Sequence, residues 1–367
     1  MKEDFIGYYN PTNEEIESSW NEGMFAFDAN TLLNLYRYTS ETSEDFLKAL
    51  TTLKSRLYLP YQAAFEFLRN REGVITQMRR SYNELENTIS TDHKKSLDEH
   101  IKNYKRHPLI KIDKIQALYE TFLKNVHEEL EVQKESHPNL NEQDYILNQV
   151  TELFKTGIGK DYSEVKLEDI FSEGEKRYAK QVPPGYKDAH DKKSRPKREL
   201  YGDLIIWKDL IKFCNENKKL IIFVTDDNKE DWWLIEKGET KRPRPELIKE
   251  FYDQTNTRIL IYNPEQFLIV AKKRNLLPAV KSDTLEEIKD VRIFNEVTNS
   301  WNSVFQQYDP ELIAQVSKGL RNALNHRPNP QIDIDKAEYV LKILQRYKSK
   351  LENTNSDDQT YIEEIEE

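Results

Sequence analysis

The chain has 367 residues, 33% of them charged, and a formal net charge of −10. No stretch approaches the roughly 20 apolar residues that a membrane helix needs, and the opening MKEDFIGYYNPTNEE lacks the apolar core of a signal peptide, so a cytoplasmic protein without a membrane partner is expected. A single cysteine, Cys214, excludes an internal disulfide framework and a cysteine-built zinc site.

Four short apolar runs stand out along the chain: Met24–Asp28, Leu57–Pro60, Leu220–Thr225 and Arg258–Tyr262. Each is continuous rather than alternating, which predicts strands buried on both faces of a parallel sheet. Helical patterns separate them, so the fold class is α/β. The second and third runs are about 160 residues apart. From Phe65 to about Phe154 this excursion is charged and helical in period, which predicts a hairpin of long helices projecting from the sheet domain. Between Gly157 and Glu199 the pattern breaks up; Pro183, Pro184, Gly185, Pro196 and KDAHDKKSRPKRE predict an irregular basic loop. Beyond Pro278 three helical patterns predict a C-terminal helical region, then an acidic disordered tail. The expected division is therefore a sheet domain in two parts (1–77 and 181–278), a helical insertion (78–180), a helical region (279–351) and the tail (352–367). Residues 352–367 hold seven acids and no Lys or Arg, leaving about −3 for the remainder, so net charge does not exclude a nucleic-acid partner.

The candidate chemistry lies in acids. Asp28 ends the first apolar run just before a helix, at the edge of an open sheet where ligands bind; a helix N-cap is the alternative reading. Asp226 and Asp227 follow Thr225 at the end of the third run, and side-chain alternation predicts that they do not both point inward. Two strand-end acids facing each other are unfavourable without a cation between them. Glu66 lies amid Ala63, Ala64, Phe65, Phe67 and Leu68, and a part-buried acid needs a partner, either an Arg or Lys or a metal ion. Asp203 opens a helix before the third run and reads as a cap or a ligand. A carboxylate set without His or Cys suits hard cations such as Mg²⁺ or Mn²⁺. Lys187, Lys192, Lys193, Arg195, Lys197 and Arg198 in the basic loop form a candidate lip for a phosphate backbone, with a solvated loop as the alternative. Tyr186, Trp232 and Trp233 are candidates for base stacking, with core packing the alternative for the tryptophans.

The strings FDANTLLNLYRY, LPYQAAFEFLRNR, YGDLIIWKDL and FVTDDNKEDWW, in that order, resemble the PIN-domain nucleases, specifically a bacterial PIN-like subgroup with a large helical insertion. With RPRPELIKEF and IYNPEQFL the resemblance spans about residues 20–275. It implies a PIN-like sheet sandwiched by helices and a Mg²⁺- or Mn²⁺-dependent endonuclease, usually acting on RNA. It also implies that Asp28, Glu66 and Asp203 are ligands, and it favours Asp227 over Asp226 as the fourth, because that acid usually stands two residues after a strand-end Thr. Asn30, Thr31 and Thr225 would orient ligands or phosphate. Bacterial relatives often act as toxins or in defence against phage. The rival readings are a structure-specific DNA nuclease of related fold and a non-catalytic interaction protein whose acids merely cap helices. The helical insertion and C-terminal helices would serve a homo-oligomer or a protein partner.

Overall fold

All four apolar runs form strands, and residues facing either side of them are buried: Phe25, Ala26, Phe27 and Ile221 to Val224 are all fully enclosed. In this computed structural model the described residues are 1–276, apart from 2, 137–139, 141–142, 190–193 and 237–238, together with 283–292 and 295. The chain divides into Met1–Thr298 and Asn299–Glu367. The second unit, with the expected acidic tail and most of the expected C-terminal helical region, lies outside the described residues.

In chain order the elements are α1 (Asn13–Glu22), β1 (Met24–Phe27), α2 (Ala29–Leu33), α3 (Ser40–Thr52), β2 (Leu57–Tyr58), α4 (Tyr61–Asn87), α5 (Lys94–Ile101), α6 (Ile112–Ser136), α7 (Tyr145–Phe154) and α8 (Glu164–Ala179). Then come α9 (Lys197–Leu200), α10 (Gly202–Asn217), β3 (Ile221–Val224), β4 (Trp233–Glu236), β5 (Glu239–Pro243), α11 (Pro245–Thr255), β6 (Leu260–Tyr262) and α12 (Pro264–Lys273). The main sheet has the order β2-β1-β3-β6, and its pairings are all parallel, as the continuous apolar runs predict. From β1 the chain first moves to one side, to β2, and later returns to β3 on the other side. The carboxyl ends of β1 and β3 therefore flank a topological switch point, where open α/β sheets bind ligands.

Beneath the sheet, the Phe267 ring packs against those of Trp20, Phe25, Phe27 and Phe46, with centroids 5.6–6.1 Å apart. Truncating such a ring to alanine typically costs about 3–5 kcal/mol. Two features of the long excursion position the site. Helix α4 runs unbroken from the core into the insertion, where its Glu86 meets His127 of α6 (2.6 Å) and, just past its end, the Ile89 carbonyl accepts from Tyr119 Oη of α6 (3.1 Å). Helix α7 returns to the main core with Ile146, Val150, Leu153 and Phe154. Its cap, Asp144, accepts from Leu147 N (2.7 Å), Tyr36 Oη (2.9 Å) and Arg71 Nη1 (2.8 Å), joining three elements.

Two local expectations change. The stretch read as patternless from Gly157 contains the 16-residue helix α8, capped by Ser163. Its Gly174 hides the helical signal but serves the packing: a Cβ there would lie 2.5 Å from the Tyr201 ring. After the third strand, where no element is expected from the sequence pattern, β4 and β5 form an antiparallel hairpin. Cys214 is a buried helix residue, as expected. The described helical turns at 283–292 pack on α3, where Glu287 accepts from Thr39 Oγ1 (2.9 Å).

Candidate active site

The register of β1 and β3 pairs Phe27 with Val224, so Asp28 and Thr225 leave the sheet side by side. Asp28 N donates to the Val224 carbonyl (3.0 Å) and continues the ladder by one bond. The Asp28 carboxylate, only 6% exposed, accepts from Ala29 N (2.7 Å) and from Thr225 Oγ1 (3.0 Å). Asp28 thus occupies the N-cap position of α2, yet its second oxygen turns to the neighbouring strand. Thr225 Oγ1 also accepts from Asp227 N (3.1 Å), so this one hydroxyl joins the two acids.

Alternation separates the paired aspartates. Asp227, buried, accepts from Lys229 N (2.8 Å) and Lys229 Nζ (3.0 Å). Asp226 instead meets Asn34 Nδ2 (2.5 Å), and Asn34 in turn accepts from Arg37 (3.0 Å). Only Asp227 of the two adds its charge to that felt by Asp28 among the largest contributions.

Glu66 lies in the second turn of α4 and is half-buried. It accepts from Gln62 Nε2 (2.7 Å), while Gln62 Oε1 accepts from Arg198 Nε (2.8 Å). Gly202 begins α10 directly against Glu66: a Cβ would fall 2.3 Å from its carboxylate oxygen. That contact sets the next residue, Asp203, in the first turn of α10, with Tyr201 rather than Asp203 at the cap. The Asp203 charge acts on Lys229 and on Tyr178.

Electrostatics tie these acids together. Burial, then the charges of Glu66 and Asp227, push the Asp28 carboxyl up to about 7 against the hydrogen bonds from Thr225 and Ala29. Asp231 is pushed up to about 6 by burial and by Asp227. Burial pulls the Lys229 ammonium down, but Asp227, Asp188 and Asp203 outweigh it and hold it well above its ordinary value. Among the described residues no three His, Cys, Asp or Glu side chains lie close enough to grip an ion as they stand. The donors nevertheless fit a hard divalent cation in type and charge: all are carboxylates, and the charges of Glu66 and Asp227 add to burial in raising Asp28.

A family model described as a PIN like domain matches residues 24–247. The chain belongs to the PIN-like domain family. No curated protein and no solved structure matches it. The matched segment runs from the first residue of β1 into α11 and so contains Asp28, Glu66, Asp203 and Asp227 together with the insertion. PIN domains are generally nucleases, and they typically use divalent metals.

The remaining expected residues of the PIN-like site behave differently. Thr31 Oγ1 bonds the Val224 carbonyl (3.3 Å) and fastens α2 to β3 rather than facing the acids. Asn30 is exposed. In the basic loop Lys187 pairs with Glu230 (2.7 Å), Arg195 with Glu199 (3.8 Å), Lys197 with Glu168 (3.1 Å) and Arg198 with Asp161 (2.7 Å). Lys192 and Lys193 lie outside the described residues. Trp232 and Trp233 are 2% exposed, which removes them as base-stacking surfaces. Sequence reasoning missed Gln62, Asp188, Gly202 and Lys229. A signal for Lys229 existed in the string DDNK, where a lysine follows a strand-end acid by two residues; the others depend on contacts between distant segments.

Proposed function

We propose that this PIN-like protein is a Mg²⁺- or Mn²⁺-dependent endonuclease that hydrolyses phosphodiester bonds, with RNA preferred, and that its cellular role is growth arrest or antiphage defence in the cytoplasm. Asp28, Glu66, Asp203 and Asp227 would hold the metal. The observation that carries this reading is Asp28: a carboxyl raised to about 7 by burial and then by the charges of two other acids, at the switch point of a parallel sheet. Helix capping accounts for one hydrogen bond to Asp28 but not for gathering Glu66 and Asp227 around it.

A divalent cation in this position supplies Lewis-acid charge for the phosphate and lowers the pKa of the attacking water. The protein's own side chains supply the placement. Thr225 Oγ1 holds Asp28 and Asp227 in fixed relation, Gln62 aims Glu66, and Gly202 lets the start of α10 approach Glu66 closely. Hydrolysis of this kind leaves 5′-phosphate and 3′-hydroxyl ends.

The test is incubation of labelled single-stranded RNA, single-stranded DNA and flap DNA with Mn²⁺ and wild type, Asp28→Asn or Asp203→Asn. Wild type cuts RNA, and each folded variant loses about a hundredfold or more, the scale of removing a transition-state electrostatic contact. Cleavage confined to DNA overturns the RNA preference. Variants that cut like wild type overturn the metal-site reading.

A further inference from the structure

Lys229 is placed where a cation would otherwise be needed. Its Nζ lies 2.7 Å from Asp188 Oδ1 and 3.0 Å from Asp227 Oδ2, while its own backbone N–H holds the other Asp227 oxygen at 2.8 Å. Asp188 belongs to the short turn Tyr186–Ala189. Asp231 pins the start of that turn, since its Oδ2 accepts from Gly185 N and Lys187 N, both at 3.0 Å. Two segments distant in sequence, the 185–189 turn and the stretch Asp227–Asp231 that follows β3, are therefore joined through one ammonium and one carboxylate. Among the described residues no other Lys or Arg pairs with Asp227.

We propose that Lys229 is a built-in counter-ion which a divalent cation must displace from Asp227, so that this lysine sets how tightly the site takes metal and latches the 185–189 turn to it until metal arrives. The inference rests on reading the strand-end acids as a cation site. Its physical basis is competition: an ammonium and a divalent ion cannot share the same carboxylate oxygens without strong repulsion. The lysine is equipped to leave. Its side chain is 43% exposed, and its flexible four-carbon stem carries a compact charge that water readily solvates. When it leaves, Asp188 loses that partner, which couples the turn to occupancy of the site. A lysine with a purely structural part would instead weaken metal binding when removed, because the acids it organises would scatter.

Mn²⁺ affinity, read from the electron-paramagnetic-resonance signal of the free ion, separates these cases without using activity. Wild type, Lys229→Met, Lys229→Arg and Asp28→Asn are compared after circular dichroism confirms folding; Lys229→Gln, which keeps most of the stem, stands beside Lys229→Met as a second neutral variant. Binding about tenfold tighter in Lys229→Met and Lys229→Gln is expected, with Lys229→Arg close to wild type and Asp28→Asn weaker than wild type. Neutral variants that bind Mn²⁺ as wild type does, or more weakly, overturn the counter-ion role while leaving the metal site standing. If wild type and Asp28→Asn both bind no Mn²⁺, the cation-site reading itself fails, and this inference with it.

Discussion

Two clusters of charge among the described residues differ in balance. Where α8, α10 and α11 meet, Arg177 grips Glu250 with two bonds of 2.7 Å, Trp207 Nε1 donates to the same carboxylate (3.0 Å), and Lys208 reaches Glu173 (2.7 Å). Two cations face two acids. Burial pushes Glu250 up, but Arg177, Lys208 and Trp207 bring it below its ordinary value. At the strand ends, Lys229 answers Asp227, Asp188 and Asp203, while burial and the charges of Glu66 and Asp227 raise Asp28 to about 7. The first cluster is complete without a visitor and acts as a clamp between helices. The second carries an excess of negative charge at the sheet edge where open α/β folds bind ligands, the balance expected of the proposed cation site rather than of an ion pair that holds the fold.

Breaking the balanced cluster has the largest expected effect. Arg177→Met leaves Glu250 little exposed and short of its main partner, at a cost of about 3 kcal/mol in denaturant unfolding. A loss below about 1 kcal/mol would mean that the clamp contributes little. Next in size, Asp227→Asn lowers cleavage about a hundredfold, whereas Asp226→Asn changes it only a few-fold, because Asp226 faces Asn34. Equal losses in labelled-RNA assays would remove the distinction drawn from side-chain alternation.

The smallest effect concerns pH. Folded Asp28 keeps its proton up to about pH 7, whereas an unfolded aspartate loses it near 3.8. Across that interval the folded state binds more protons, so this group's contribution to stability falls as pH rises from about 4 to about 7. Asp231, raised to about 6, adds a second decline over the lower part of the same interval. Asp28→Asn should therefore melt about 2–4 °C above wild type near pH 8 without metal, with the gap closing at pH 4 and below. A variant that melts lower at pH 8 would mark Asp28 as a stabilising cap instead.

The sheet was legible because continuous apolar runs such as Ile221–Val224 can only be strands buried on both faces. Asp28 and Asp227 stand out as candidates because they follow strand ends, Glu66 because its neighbours are apolar, and Asp203 because it opens a helix before a strand. The β4–β5 hairpin was not legible, since β4 is a short apolar run without alternation and β5 is mostly polar and exposed. Helix α8 was obscured by Gly174, whose purpose appears only beside Tyr201. The roles of Gln62, Gly202 and Asp188 depend on segments more than a hundred residues apart meeting, or on a turn closing over β3, and local pattern carries no trace of either. In the basic loop, local pattern does not show that Lys187, Arg195, Lys197 and Arg198 each have an acidic partner.

The contrast between a satisfied and an unsatisfied cluster is tested most directly by thermal unfolding with and without Mn²⁺ near pH 8, for wild type and Asp28→Asn side by side. A ligand that binds only the folded state stabilises it by about 2.7 kcal/mol at a hundredfold excess over Kd. The expected result is a Mn²⁺-dependent rise of several degrees in wild type and little or none in Asp28→Asn. Equal shifts in the two proteins, or none in wild type, would contradict the claim that the strand-end carboxylates form a cation site.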